Sequence, residues 1–124
     1  MDTSFVEELA SAAPTPGGGG ASAYCGALAC ALASMVGNLT VGKKTYAQVE
    51  PEVYTRLEKL ADLRGRLLSL VGADAEAFGP LAAAYRMPKD TPEQLAAKQA
   101  AIQDALVGAT EVPLDIMRTA AACA

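Results

Sequence analysis

The groups in this sequence whose types and spacing could do chemistry are few. They are one carboxylate, Asp74, four consecutive glycines, Gly17 to Gly20, and the cations Lys43, Lys44, Arg86 and Lys89. His is absent, so any acid or base must be Asp, Glu, Lys, Tyr or Cys. Asp74 stands out because of its register. Stepping from Leu67 to Val71, to position 74 and to Phe78 puts a carboxylate on a helix face that otherwise turns inward. An unpaired carboxylate costs roughly several kcal/mol to bury, so this one must be paired, hydrogen-bonded or facing a cavity. The glycines admit close approach of a ligand or a second backbone. Where they run into a helix start, free N–H groups and the positive end of the helix dipole suit an anion or a polar ligand edge. Each group also has a plainer reading. The glycines could be a flexible connector, and Asp74 could pair with Lys59, Arg64 or Arg66 of a neighbouring chain. Lys43 and Lys44 could be a solvated helix end, and Arg86 and Lys89 ordinary surface.

The elements that must position these groups read as helices. Nineteen uncharged residues, Ala21 to Leu39, follow the glycines, mostly Ala, Gly, Ser and Cys with Leu and Met between them. This predicts a helix buried on nearly all sides, smooth along Gly26, Cys30 and Ser34 and along Ala23, Ala27 and Ala31. It should end near Thr40, with Gly42 as terminator. Ahead of it, Ser4 to Ala13 reads as a short helix with a Ser4/Glu7 capping box, closed by a stiff Pro14-Thr15-Pro16 approach. A long helix is expected over Pro51 to Tyr85, its stripe formed by Val53, Leu57, Leu60, Leu63, Leu67, Leu70 or Val71, Phe78, Leu81 and Tyr85. Gly65, Gly72 and Pro80 are candidate bends in it. Thr91, Pro92 and Gln94 mark another start, for a helix to about Val112 with Leu95, Ile102, Leu106 and Ala109 inward. Gly108 and Pro113 mark its end or a kink, and Leu114 to Cys123 is again helix-like.

Composition narrows the class. The 124 residues make one domain, and 27 alanines against six aromatics favour close-packed helices over sheets, so an all-α bundle is expected. A net charge of −4 without a basic stripe gives no basis for nucleic-acid binding. Ala21 to Leu39 is long enough to be weighed as a membrane span, but it lacks aromatic and basic anchors on both sides, so no membrane is expected. Cys25, Cys30 and Cys123 show no metal-ligand spacing; their odd number argues for reduced thiols in a cytoplasm, with Cys25 and Cys30 as small core residues.

The stretch PTPGGGGASAYCGALACALASMVGNLTVGKKTY, Pro14 to Tyr46, resembles the opening of the cyclodeaminase/cyclohydrolase family. LVGADAEAF, MPKDTPE and ATEVPL continue the resemblance in family order over nearly all of the chain. Two departures are Gly20, where the family usually has Ser, and a family domain that extends beyond Ala124. The resemblance implies a homodimer acting at the N5–N10 bridge of a tetrahydrofolate derivative, with no covalently bound cofactor. Either a formimino group closes into the methenyl ring with loss of ammonia, or the methenyl ring is hydrolysed. Such chemistry needs a cavity for a flat pterin, a carboxylate for positive charge or a proton, and cations for the folate carboxylates. Asp74 and Lys43 are the candidate catalytic residues, and Gly17, Gly18, Gly19, Gly20, Lys44, Tyr46, Arg86 and Lys89 the candidate substrate-binding set. The other class that stands is a non-catalytic helical oligomerisation or folate-binding module on the same fold.

Overall fold

The computed structural model describes residues 1–124 and contains four α-helices and no strand. They are α1 (Ser4–Leu9), α2 (Gly18–Thr40), α3 (Glu50–Tyr85) and α4 (Pro92–Cys123), with one 3-10 turn, Lys44–Tyr46, after α2. The all-α expectation holds. Helix α3 starts one residue before Pro51, and α2 ends at Thr40, two residues ahead of Gly42, whose φ of 80° suits a residue without Cβ. At α4 the capping box is formed: the Gln94 N–H donates to Thr91 Oγ1 at 3.1 Å, and the Thr91 N–H donates to Gln94 Oε1 at 3.2 Å.

Helices α2 and α3 run antiparallel in close contact because α2 offers almost no side chain along the shared face. A Cβ on Gly26 would lie 3.1 Å from Leu67 Cδ1, and one on Gly37 would lie 2.7 Å from Leu57 Cδ2. Around Gly26, Ala23, Ala27 and Cys30 share a core with the fully buried Leu67, and Ile116 of α4 closes the same core with Leu70. Helix α4 packs antiparallel to α3, fixed along the pair by Arg66 to Asp115 at 2.6 Å and Lys98 Nζ to the Tyr85 carbonyl at 2.8 Å. By length and composition alone α2 and α3 could each cross a bilayer; in this fold α3 occupies the small-residue face of α2.

Several sequence expectations are corrected. Helix α1 stops at Leu9 because the Ser11 hydroxyl donates to the Glu8 carbonyl at 2.6 Å and accepts from the Ala13 N–H. Its N-terminus is served by Asp2, which accepts from the Ser4 N–H at 2.9 Å and whose carboxyl that bond holds below the usual range; no Ser4/Glu7 box forms. Helix α4 is continuous through Gly108 and Pro113, since the Ile116 and Thr119 turn beyond the proline is buried against the other helices. Leu95, Leu106 and Tyr85 are exposed. Cys30 and Cys123 are joined as a disulfide, because α2 and the last turn of α4 lie side by side, and Cys25 is exposed; the three separate thiols and the core place for Cys25 are therefore corrected.

Nor is α2 buried on all sides. Only 11 of 124 residues are buried, and Tyr24, Leu28, Leu32, Met35, Val36 and Leu39 form an apolar stripe of α2 that this chain's own helices do not cover. Phe5 of α1 stacks on Tyr24 at a centroid distance of 5.2 Å and shields its first member alone.

Leu67 and Gly65 give contrasting expectations on the same helix. Leu67→Ala opens a cavity at the tightest contact and should cost about 2–5 kcal/mol in urea unfolding. A Cβ at Gly65 meets nothing, so Gly65→Ala should stabilise α3 by up to about 1 kcal/mol. Alkylation of unreduced, unfolded protein should label one cysteine, Cys25, rather than three.

Candidate active site

The close approach of α2 and α3 decides what Asp74 touches. Gly17 is the N-cap of α2 and has no side chain to satisfy the first N–H groups of that helix. Asp74, on α3, supplies the missing acceptor: the Gly20 N–H donates to Asp74 Oδ2 at 2.9 Å. The inward carboxylate is thus hydrogen-bonded and set at the positive end of the α2 dipole, a favourable place for a negative charge. No cation pairs with it in the chain. Arg66 is bound to Asp115, and Arg64 lies 3.4 Å from the Ser34 hydroxyl. Asp74 Oδ1 has no hydrogen-bond partner and is not sealed from solvent, so it can act on a bound molecule.

The glycines each do something different. A Cβ on Gly19 would collide with the Asp74 carboxyl group, 2.5 Å from its Cγ, so only glycine lets the carboxylate sit there. Gly20 is buried and contributes its N–H, and Gly18 has nothing within 4 Å of a Cβ. Gly17, Gly18, Asp74 and Phe78 line a cavity of about 260 Å³ with Pro14, Thr15 and Ala109. Sequence reasoning read Phe78 as a core residue; it is half-buried, and its place one turn after Asp74 is the signal that the two share a wall.

The remaining candidates lie elsewhere. Lys43, Lys44 and Tyr46 are exposed beyond the C-terminus of α2, a helix of 23 residues and roughly 34 Å at 1.5 Å per residue. Within one chain they do not meet Asp74. Arg86 and Lys89 are exposed past the end of α3, on the same pole of the bundle as the glycines, which are the N-cap and first turn of α2 rather than a loop ahead of it. The chain therefore gathers the carboxylate, the glycines and a cavity, and leaves two pairs of cations at opposite ends.

The N-terminal contact yields a direct expectation. Asp74→Ala strands the Gly20 N–H and should cost about 1–2 kcal/mol, while Asp74→Asn keeps an acceptor oxygen and should stay within about 1 kcal/mol. Gly19→Ala should cost more than Gly18→Ala, the opposite of what a mobile connector would give, as read in chemical unfolding.

Comparison with known proteins agrees along nearly the whole chain. The family described as formiminotransferase-cyclodeaminase matches residues 2–124. The chain is 52% identical over 114 residues to methenyltetrahydrofolate cyclohydrolase of Methylorubrum extorquens, covering 92% of this chain and 55% of that one. It is 37% identical over 122 residues to formimidoyltransferase-cyclodeaminase of Mus musculus, covering 96% of this chain and 23% of that one. The solved structure of formiminotetrahydrofolate cyclodeaminase from Thermotoga maritima superposes with a TM-score of 0.76 at 38% identity, covering 93% of this chain and 53% of that one. The chain thus spans about half the length of these two bacterial relatives and a smaller part of the mouse one. With its glycine run, its long helices and residues 2–124 matched, the chain belongs to the formiminotransferase-cyclodeaminase family.

Proposed function

We propose that this chain carries the catalytic carboxylate of a folate one-carbon enzyme that hydrolyses the methenyl bridge between N5 and N10 of tetrahydrofolate. The observation that carries it is the Asp74 carboxylate, held by the Gly20 N–H at the wall of a cavity that also holds Phe78. The methenyl carbon is an amidinium cation, and a carboxylate beside it stabilises that charge. Water adds to the carbon to give a tetrahedral intermediate, and the bond to N5 then breaks to leave a formyl group on N10. Asp74 Oδ1 takes one proton from the attacking water and returns it to N5 as that nitrogen leaves, and the hydroxyl of the intermediate releases its proton to solvent as it becomes the formyl oxygen. The 52% identical relative supports hydrolysis; the 37–38% identical cyclodeaminases favour a second reading, in which N10 attacks a formimino carbon and ammonia leaves through the same kind of intermediate.

We further propose that two copies pair through the apolar stripe of α2. Leu28, Leu32, Met35, Val36 and Leu39 are too contiguous to be left in water. If the two stripes lie antiparallel, the Lys43, Lys44 and Tyr46 pole of one copy falls beside the Asp74 pole of the other. Lys43 then assists Asp74, Lys44 and Tyr46 reach the folate carboxylates across the interface, and Arg86 and Lys89 do so from the same chain.

Loss of methenyl absorbance with purified protein tests the activity, and its absence would leave the non-catalytic reading. Gly18→Val puts a side chain into the cavity without touching the fold, so it should abolish folate binding at a stability loss below about 1 kcal/mol. For the shared site, mixing inactive Asp74→Asn with inactive Lys43→Ala should restore about a quarter of the activity, since half of the dimers formed carry one intact site. No restoration after subunit exchange would place both residues in one chain or exclude one of them.

A further inference from the structure

The largest cavity is not the one beside Asp74. It is a groove of about 660 Å³ between α3 and α4, walled by Ala77, Pro80, Ala84 and Met87 on one side and by Asp104, Ala105 and their neighbours on the other. It adjoins the Asp74 cavity, for Ala109 lines both and Ala77 stands next to Phe78. Its walls are alanine, glycine, proline and methionine, flat and apolar, with one charged group. That group is Asp104, which is exposed and makes no hydrogen bond or ion pair. No Lys, Arg, Ser, Thr, Tyr or Asn lines the groove, so its side chains offer acceptors and no donors. The backbone adds to this imbalance. Pro113 has no N–H to give the carbonyl of Ala109, a residue of the groove wall. A flat slot whose polar groups only accept fits a flat ring with an edge that only donates.

We propose that Asp104 binds the donor edge of the pterin, its 2-amino group and the adjacent ring N–H, while the one-carbon bridge reaches Asp74. Paired N–H donors against a carboxylate make a two-point, charge-matched contact that fixes the ring in its plane. The spacing agrees. Asp104 and Ala109, which also lines the Asp74 cavity, are five residues apart on α4, roughly 7.5 Å along the axis, about the run of two fused six-membered rings with a substituent at each end. Asp104 thus sets which ring enters the groove, and Asp74 acts on what the ring carries. This rests on the folate reading above and adds to it a residue that selects the heterocycle.

The test uses the whole 124-residue chain and two probes, 5-formyltetrahydrofolate and its analogue in which methyl replaces the 2-amino group. Asp104→Asn should weaken binding of the first by about tenfold or more and of the second by a clearly smaller factor, since the second keeps only the ring N–H to lose, with an unchanged melting temperature because the side chain is exposed. Equal losses for both probes, or none for either while the unaltered chain binds 5-formyltetrahydrofolate, would overturn the assignment and leave the folate reading standing. An unaltered chain that neither binds 5-formyltetrahydrofolate nor turns over the methenyl compound would overturn both.

Discussion

The distance between α2 and α3 is the constraint on which the site depends. Along their shared face α2 presents Gly19, Gly20, Ala23, Gly26, Ala27, Cys30 and Gly37, and a Cβ on Gly19, Gly26 or Gly37 would crowd a side chain of α3. The near absence of side chains brings the helices close enough for a short aspartate on α3 to reach the first turn of α2. Two deficits then cancel. A glycine N-terminus lacks a cap, an inward carboxylate lacks a partner, and each supplies the other at 2.9 Å. One oxygen is spent on this contact, and the second stays free for chemistry.

The same economy explains what the chain lacks. Small residues bury little apolar area, so the core built from Leu67, Leu70, Ile116 and the alanines is modest, and the larger Leu28, Leu32, Met35 and Leu39 of α2 face outward. A helix designed for close contact on one face and rich in Leu on the next has to be covered by more protein. On the proposed reading catalysis and assembly are linked through a single helix: its smooth face fixes the carboxylate, and its leucine face is left uncovered by this chain.

Much of this was legible in the residues. Pro51, the Thr91–Gln94 box and Gly42 place helix ends because caps and terminators act locally, through groups within one turn. Asp74 announced itself by breaking an apolar stripe. Its partner did not, because the Gly20 N–H is a backbone group that every residue but proline carries. Pro113 read as an end or a kink, and α4 runs through it, since tertiary burial of the following turn outweighs one missing hydrogen bond. The Cys30–Cys123 pairing was hidden by a separation of 93 residues, over which sequence carries no information on proximity. The uncharged run showed that α2 must be covered but not by what; a single chain covers one side of it.

If α2 holds Asp74 so that its free oxygen can act, one variant separates the two roles. In Asp74→Asn the amide oxygen can still accept from Gly20, so the melting temperature should stay within a few degrees of the unaltered chain while the methenyl hydrolysis rate falls at least about a hundredfold. A large drop in melting temperature with the rate per folded molecule intact would contradict it, and would make Asp74 a structural cap for α2 and nothing more.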